Sequence, residues 1–202
     1  MAHLGAVDLF QAHFGLGKRD APDEDEGHNE KRARNNVIYY YPLRNIQGQV
    51  IGKMFKKNGK PHRENDEPAM EYDDGTMEWY YNGKRHRDGG EPAVVKADGS
   101  KEWWVDGKLH RENDLPAVDY ADGTQYWYYH GKQHRENDLP AVNNMYGIEW
   151  WYNDKMHREN DLPARIHIDD EKEWWYNGKK HRENDLPAVE YPDGSRKWFY
   201  ND

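Results

Sequence analysis

The chain has 202 residues and a formal net charge of −9, with 33% charged against 35% hydrophobic side chains and no cysteine. That acidity excludes free nucleic acid and an anionic membrane surface as expected partners, because both call for a net basic face. The missing thiols exclude a disulfide framework or thiolate metal site, and no apolar run approaches the ~20 residues of a membrane-crossing helix.

Residues 1–36 read as an N-terminal arm. Leu4, Val7, Phe10 and Phe14 supply its apolar positions, with helix spacing at Val7, Phe10 and Phe14, so a short amphipathic helix is expected. Alone it is too short to hold in water, so it reads either as a frayed terminus or as a peptide that docks in a partner protein's groove. The mixed charges from Gly17 onward read as a linker. The start of the chain lacks the basic-then-apolar pattern of a secretory signal, so an intracellular or virion location is expected rather than export.

Residues 37–61 read as a capping hairpin. Val37-Ile38-Tyr39-Tyr40-Tyr41 is a strand, Asn45-Ile46-Gln47-Gly48 a turn, and Gln49 to Lys56 the return. A terminal repeat is expected to be atypical, because one side lacks a neighbour.

From residue 62 to 202 the chain repeats itself. A His-Arg pair stands at His62, His86, His110, His134, His157 and His181, at steps of 24 residues with one of 23. Seven positions before each His is an aromatic, and six after it a Pro followed by Ala. Each unit carries two turn signals. One is Asp-Gly, as at Asp74-Gly75 and Asp98-Gly99; the other is Asn-Gly or a relative, as at Asn82-Gly83 and Asp106-Gly107. Both are expected to form type I′ hairpin turns. The runs between them are rich in Trp, Tyr and Val. The expected fold is therefore all-β: an antiparallel hairpin-repeat ribbon forming a single meandering sheet, each unit advancing roughly 10 Å.

Three columns follow from strand alternation. The core ladder is Trp79, Trp103, Trp127, Trp150, Trp174 and Trp198. Two residues on, Tyr81, Val105, Tyr129, Tyr152, Tyr176 and Tyr200 are expected on the same inner face. The intervening Tyr80, Trp104, Tyr128, Trp151 and Trp175 point the other way and form a candidate interface. Two units break the pattern. Asn143-Asn144-Met145-Tyr146-Gly147 is one residue short, and Arg165-Ile166-His167-Ile168 loses the turn glycine. A one-residue slip would invert the facing, so 143–148 and 165–171 are read either as drift or as a local contact surface that includes Arg165 and His167.

The six histidines do not suggest chemistry. Equivalent atoms ~10 Å apart cannot share a zinc ion that needs its ligands at ~2.0–2.3 Å. Near-identical copies offer no single differentiated pocket. No catalytic residue, metal site or cofactor is expected. Arg and Asp or Glu are instead expected to pair across neighbouring copies, with the Asn and Asp side chains closing the turn before Pro.

Trp127-Tyr128-Tyr129-His130-Gly131-Lys132-Gln133-His134 and Tyr120-Ala121-Asp122-Gly123 resemble the unit of MORN (membrane occupation and recognition nexus) repeats, over about residues 38 to 202. The resemblance implies a ribbon of hairpins. It departs after the His, where the family's small Gly-x-Gly is replaced by Arg-Glu-Asn-Asp-Leu-Pro-Ala, so the family's lipid contacts do not carry over with it. This charged flavour of the motif is also similar to repeat proteins encoded by large DNA viruses.

The leading expectation is a non-enzymatic structural and protein–protein interaction repeat protein. It would be a minor, capsid-associated component of a large DNA virus virion, joined to other proteins of the assembly through the N-terminal arm and one sheet face. Two alternatives stand beside it. One is a carbohydrate- or choline-binding array, since exposed aromatics suit sugar stacking or a quaternary ammonium. The other is a repeat antitoxin or regulator, by family analogy.

Overall fold

The computed structural model describes residues 37–200, which are all-β. The arm, with its expected helix and Leu4, Val7, Phe10 and Phe14, lies outside the described residues.

Strands β1 (Ile38–Arg44) and β2 (Val50–Lys57) pair antiparallel and begin the array. Asn45 closes their turn, its Oδ1 accepting the Gln47 and Gln49 N–H groups at 3.0 Å each. Each later unit adds one short hairpin to the same sheet. Met70–Tyr72 pairs with Met77–Glu78, Val94–Val95 with Lys101–Glu102, and Val118–Asp119 with Gln125–Tyr126. Val142–Asn144 with Gly147–Glu149, Arg165–His167 with Lys172–Glu173, and Val189–Glu190 with Arg196–Lys197 complete it. Among the described residues this gives a fifteen-stranded antiparallel sheet, laid down in chain order apart from Lys60–Pro61, which flanks β2.

The second hairpin of each unit does not join that sheet. Trp104–Val105 pairs only with Lys108–Leu109, and five such two-stranded sheets stand beside the main one. The departure occurs at tryptophan. The Trp103 N–H still donates forward to the Ala117 carbonyl (2.8 Å), but its own carbonyl accepts from the His110 N–H (3.0 Å) inside the side hairpin. One residue thus serves two sheets, and the expected single meander becomes a ribbon with a row of side hairpins. The side hairpins are linked in turn: the Gly107 N–H reaches back to the Arg85 carbonyl (2.9 Å), and Gly131 to Leu109 (2.8 Å).

The two turn types also differ. Asn82-Gly83, Asp106-Gly107 and Asn177-Gly178 hold positive φ at both positions, as type I′ requires. In the Asp-Gly turns only the glycine is left-handed, and the Gly75 N–H closes onto the Tyr72 carbonyl at 3.0 Å. That is a three-residue loop ending in a left-handed glycine, not type I′. The Asp side chain steadies it: Asp74 Oδ1 accepts the Thr76 N–H at 2.8 Å. The turn expected before Pro is a third tight pair, with positive φ at both Asn113 and Asp114 (61° and 56°).

The core is a narrow strip. Ala69, Ala93, Ala117, Ala141, Ala164 and Ala188 have no exposed surface, and Val94, Val118, Val142 and Val189 are buried beside them. Trp79, Trp103, Trp127, Trp150 and Trp174 are buried too. Trp198 is 60% exposed, because no further unit packs on it among the described residues. The expected inner tyrosines are not inside: Tyr81, Tyr129, Tyr152, Tyr176 and Tyr200 are exposed, and Val105 is half-buried. Alternation assumes one continuous strand, and the chain turns out of the main sheet at the tryptophan just before them.

Candidate interaction surface

Each unit from Trp79 to Trp174 holds the one before it through its tryptophan, and four of these five also through the arginine of the His-Arg pair. The Trp127 indole N–H donates to the Asp114 carbonyl at 3.0 Å, and Trp79, Trp103, Trp150 and Trp174 repeat the bond to Asp66, Gly90, Asp138 and Asp161 at 2.9–3.0 Å. The guanidinium of Arg135 lies 4.0 Å above the Trp127 ring, and its Nη1 donates to the Pro140 carbonyl at 3.1 Å. Its Nε and Nη2 grip both carboxylate oxygens of Asp114 at 2.7 and 2.8 Å. Arg87, Arg158 and Arg182 grip Asp66, Asp138 and Asp161 in the same way. These guanidinium bonds hold all four carboxyls below the usual aspartate range. Pairing across copies was expected; the Asp side chains, however, reach the next unit's arginine and do not close their own turn. Charged, planar and stacked, the arginine suits this place as lysine would not.

Several histidines add to the joint. His110 Nδ1 accepts the His130 backbone N–H of the next unit (3.3 Å), and His62 Nδ1 that of Asn82 (3.0 Å). His110 Nε2 faces Glu112 at 2.9 Å, His134 faces Glu136 at 2.8 Å and His157 faces Glu159 at 2.8 Å. An Nδ1 that accepts leaves the proton on Nε2, so the bonding pattern fixes the tautomer. Tyr129 stands edge-on against His110 (ring centroids 5.0 Å), Tyr152 against His134 (4.8 Å) and Tyr176 against His157 (4.9 Å). The result is a row of half-exposed tyrosine rings at the repeat spacing, interrupted once by Val105.

The sequence-predicted interface residues Tyr80, Trp104, Tyr128, Trp151 and Trp175 are half-buried. The indoles of Trp104, Trp151 and Trp175 donate to Glu102, Glu149 and Glu173 at 2.8–2.9 Å, and the Tyr80 hydroxyl donates to Glu78 at 2.9 Å. Burial, with the Glu78 carboxylate beside it, pushes the Tyr80 hydroxyl up to about 12. Tyr128 lines a shallow hollow of about 390 Å³ with Glu102, Leu109, Val118, Tyr120 and Tyr126. This column is therefore hydrogen-bonded lining, not a bare apolar strip.

The two irregular units behave differently. The missing residue near 145 is absorbed by the turn. Asn144 pairs directly with Gly147, the register inward is kept, and Ala141, Val142 and Trp150 stay buried. The inversion of faces that a one-residue slip would bring does not occur. Arg165 and His167 point along the sheet: Arg165 pairs with Glu149 at 3.1 Å, and His167 Nε2 lies 3.9 Å from Glu173. Exposure falls on their neighbours. Met145, Tyr146 and Ile168 are 72%, 63% and 77% exposed, and the Ile168 N–H bonds the Tyr146 carbonyl at 2.8 Å, which sets the two tips side by side. The matching tips elsewhere are Asp73-Asp74, Ala97-Asp98 and Ala121-Asp122. Large apolar residues at tips that are Asp-Asp, Ala-Asp or Pro-Asp in sister units were the legible signal for this patch.

Ligand atoms of His167, Glu171 and Glu173 lie within 4.8 Å of one another. Glu173 already has the Lys180 ammonium at 2.9 Å on Oε1 and the Trp175 indole on Oε2. Burial raises the Glu173 pKa, but these bonds outweigh it and the carboxyl lies below its usual value.

Comparisons of the chain with protein-family models, with curated proteins and with solved structures find no match.

Proposed function

We propose that this chain is a non-enzymatic interaction ribbon, a structural part of a larger assembly. One observation carries that reading. An edge that carries Asp in the sister units presents Met145, Tyr146 and Ile168 together, at two turns that lack the Asp-Gly pair. A contiguous apolar patch on a polar surface is what a protein–protein contact needs. The non-catalytic part is supported by the histidines: in His86, His110 and His157 one ring nitrogen accepts a backbone N–H of the next unit and the other faces a carboxylate of its own. A capsid-associated place in a large DNA virus virion, and kinship with MORN repeats, rest on the motif resemblance.

The test places a photo-crosslinking side chain at Met145 or Ile168 of the full chain, with Ala97 and Ala121 at matching tips as controls. Made in its native cells, the protein should give one discrete heavier product from 145 and 168 and none from the controls. Equal labelling at all four positions would reject the patch.

The tyrosine row favours a second reading, stacking of a sugar chain or a choline-type cation against Tyr129, Tyr152 and Tyr176. Titration with soluble oligosaccharides and with choline, followed by tyrosine ring signals in NMR, would move those three residues together; unmoved signals remove this reading.

A further inference from the structure

Six arginines in the array stack on the aromatic ring of their own unit, from Arg63 on Phe55 to Arg182 on Trp174. Four grip the Asp of the preceding unit. The first, Arg63, follows the cap and pairs instead with Glu67 and Glu71. Arg111 differs from all of these. The unit before it reads Asp88-Gly89-Gly90 where others read Glu-Asn-Asp, so Gly90 stands where the carboxylate should be.

Everything else about the socket is intact. The Arg111 guanidinium lies 3.5 Å above the Trp103 ring, and Nη1 donates to the Pro116 carbonyl at 3.2 Å. The Trp103 indole still reaches the Gly90 carbonyl at 2.9 Å. Gly89 and Gly90 keep the left-handed pair (φ 76° each) that Asn113 and Asp114 adopt in the next unit. The space is open, since a Cβ built on Gly89 or Gly90 would meet nothing within 4 Å. Among the described residues no carboxylate pairs with Arg111. Asp119 stands where Glu190 reaches Arg182 (3.1 Å), one methylene shorter, and is held by the Gln125 amide at 3.2 Å. Glu91 acts on Arg111 only at a distance. Burial pushes the Arg111 guanidinium down from the usual arginine value, whereas the Asp66 and Asp161 bonds push Arg87 and Arg182 up.

We infer that Arg111 is a binding site for a planar carboxylate from outside this stretch of chain, held by Nε and Nη2 above the Trp103 ring. The fork is pre-set by stacking and by the Pro116 bond, so little order is lost on binding. Four sister sockets show what fits it: one carboxylate, both oxygens in the plane of the guanidinium. Glu91, Asp119 and the net acidic chain oppose anions at longer range, which disfavours a phosphate dianion more than a single carboxylate. This site is independent of the apolar patch at 145–168.

The test follows arginine Nε–Hε signals of the full chain by NMR while acetate replaces chloride at constant ionic strength. The Arg111 signal should move towards those of Arg87, Arg135, Arg158 and Arg182 and saturate, while those four stay still. In Gly89→Asn/Gly90→Asp, which restores the internal carboxylate, the acetate response should fall at least tenfold. If that variant does not fold, Arg111→Lys, read at the Trp103 indole N–H, must lose the response. A static Arg111 signal, parallel movement of all the arginines, an undiminished response in either variant, or an equal response to inorganic phosphate would each overturn the site. A capped Asn-Asp-Leu-Pro peptide binding tenfold tighter than acetate would identify a polypeptide source; binding no tighter would identify a small carboxylate.

Discussion

Trp127 shows how much one side chain does here. Its ring is buried under Arg135, its indole N–H satisfies the Asp114 carbonyl, and its backbone divides between the main sheet and a side hairpin. Trp127→Phe keeps a six-membered ring, loses the buried pyrrole half and strands that carbonyl; the stranded acceptor alone costs about 1–3 kcal/mol, and the lost packing adds to it. Trp198→Phe removes the same bond at an exposed end and should cost under about 0.5 kcal/mol. Urea unfolding of both variants would measure the difference; equal losses would mean the ladder is not what holds the units. The tryptophans were legible because they recur at a fixed offset from His and Pro. The outward tyrosines were not, because parity along a strand fails where the backbone leaves its sheet, and no residue at 80 or 81 announces that exit.

At the scale of the element, turns decide where irregularity is tolerated. Gly75 sits at φ 94° with open space around the missing Cβ, so Gly75→Ala carries only the left-handed penalty, about 1–2 kcal/mol. Gly147 is left-handed (φ 141°) and also lies against the backbone carbonyl of Ile166, which an added Cβ would strike. Gly147→Ala should therefore destabilise the chain more than Gly75→Ala in the same denaturant assay, and a smaller effect would show that the neighbouring strand gives way. Gly147 allows the shortened turn to keep its register, and the same close approach brings Tyr146 beside Ile168. The hairpins themselves were legible from Asn-Gly and Asp-Gly. The type of the Asp-Gly turn was not, since the dipeptide suits either geometry and only the Asp–Thr or Asp–Ser bond behind it selects one.

For the whole molecule, each unit touches mainly its neighbours, so stability accumulates along the array as a sum of similar joints. Four of those joints carry an Asp–Arg clamp, and in each the folded carboxyl lies below its ordinary value. A folded pKa below the unfolded one, about 3.9, means that the unfolded chain binds protons more readily. The contribution is thus complete above roughly pH 4 and is lost as the pH falls through the folded values. An acid titration followed by near-UV circular dichroism should show loss of structure in that range, shallower in Asp114→Asn; an unchanged slope would mean the clamp adds nothing. The repeat could be read from the period, its antiparallel hairpins from the turn dipeptides, and the pairing between copies from the recurring Arg and Asp. The irregular stretches at 143–148 and 165–171 could be read too, but that Met145, Tyr146 and Ile168 are their exposed residues, and that Arg111 lacks the carboxylate its sisters take, needed the geometry.

The most direct test of unit-to-unit clamping is hydrogen exchange at the indole N–H groups of the intact protein, followed by NMR. The five buried indoles, Trp79, Trp103, Trp127, Trp150 and Trp174, should exchange slowly and at similar rates, with Trp198 clearly faster. Exchange of those five at the rate of Trp198 or of free indole would contradict a ribbon held together through its tryptophans.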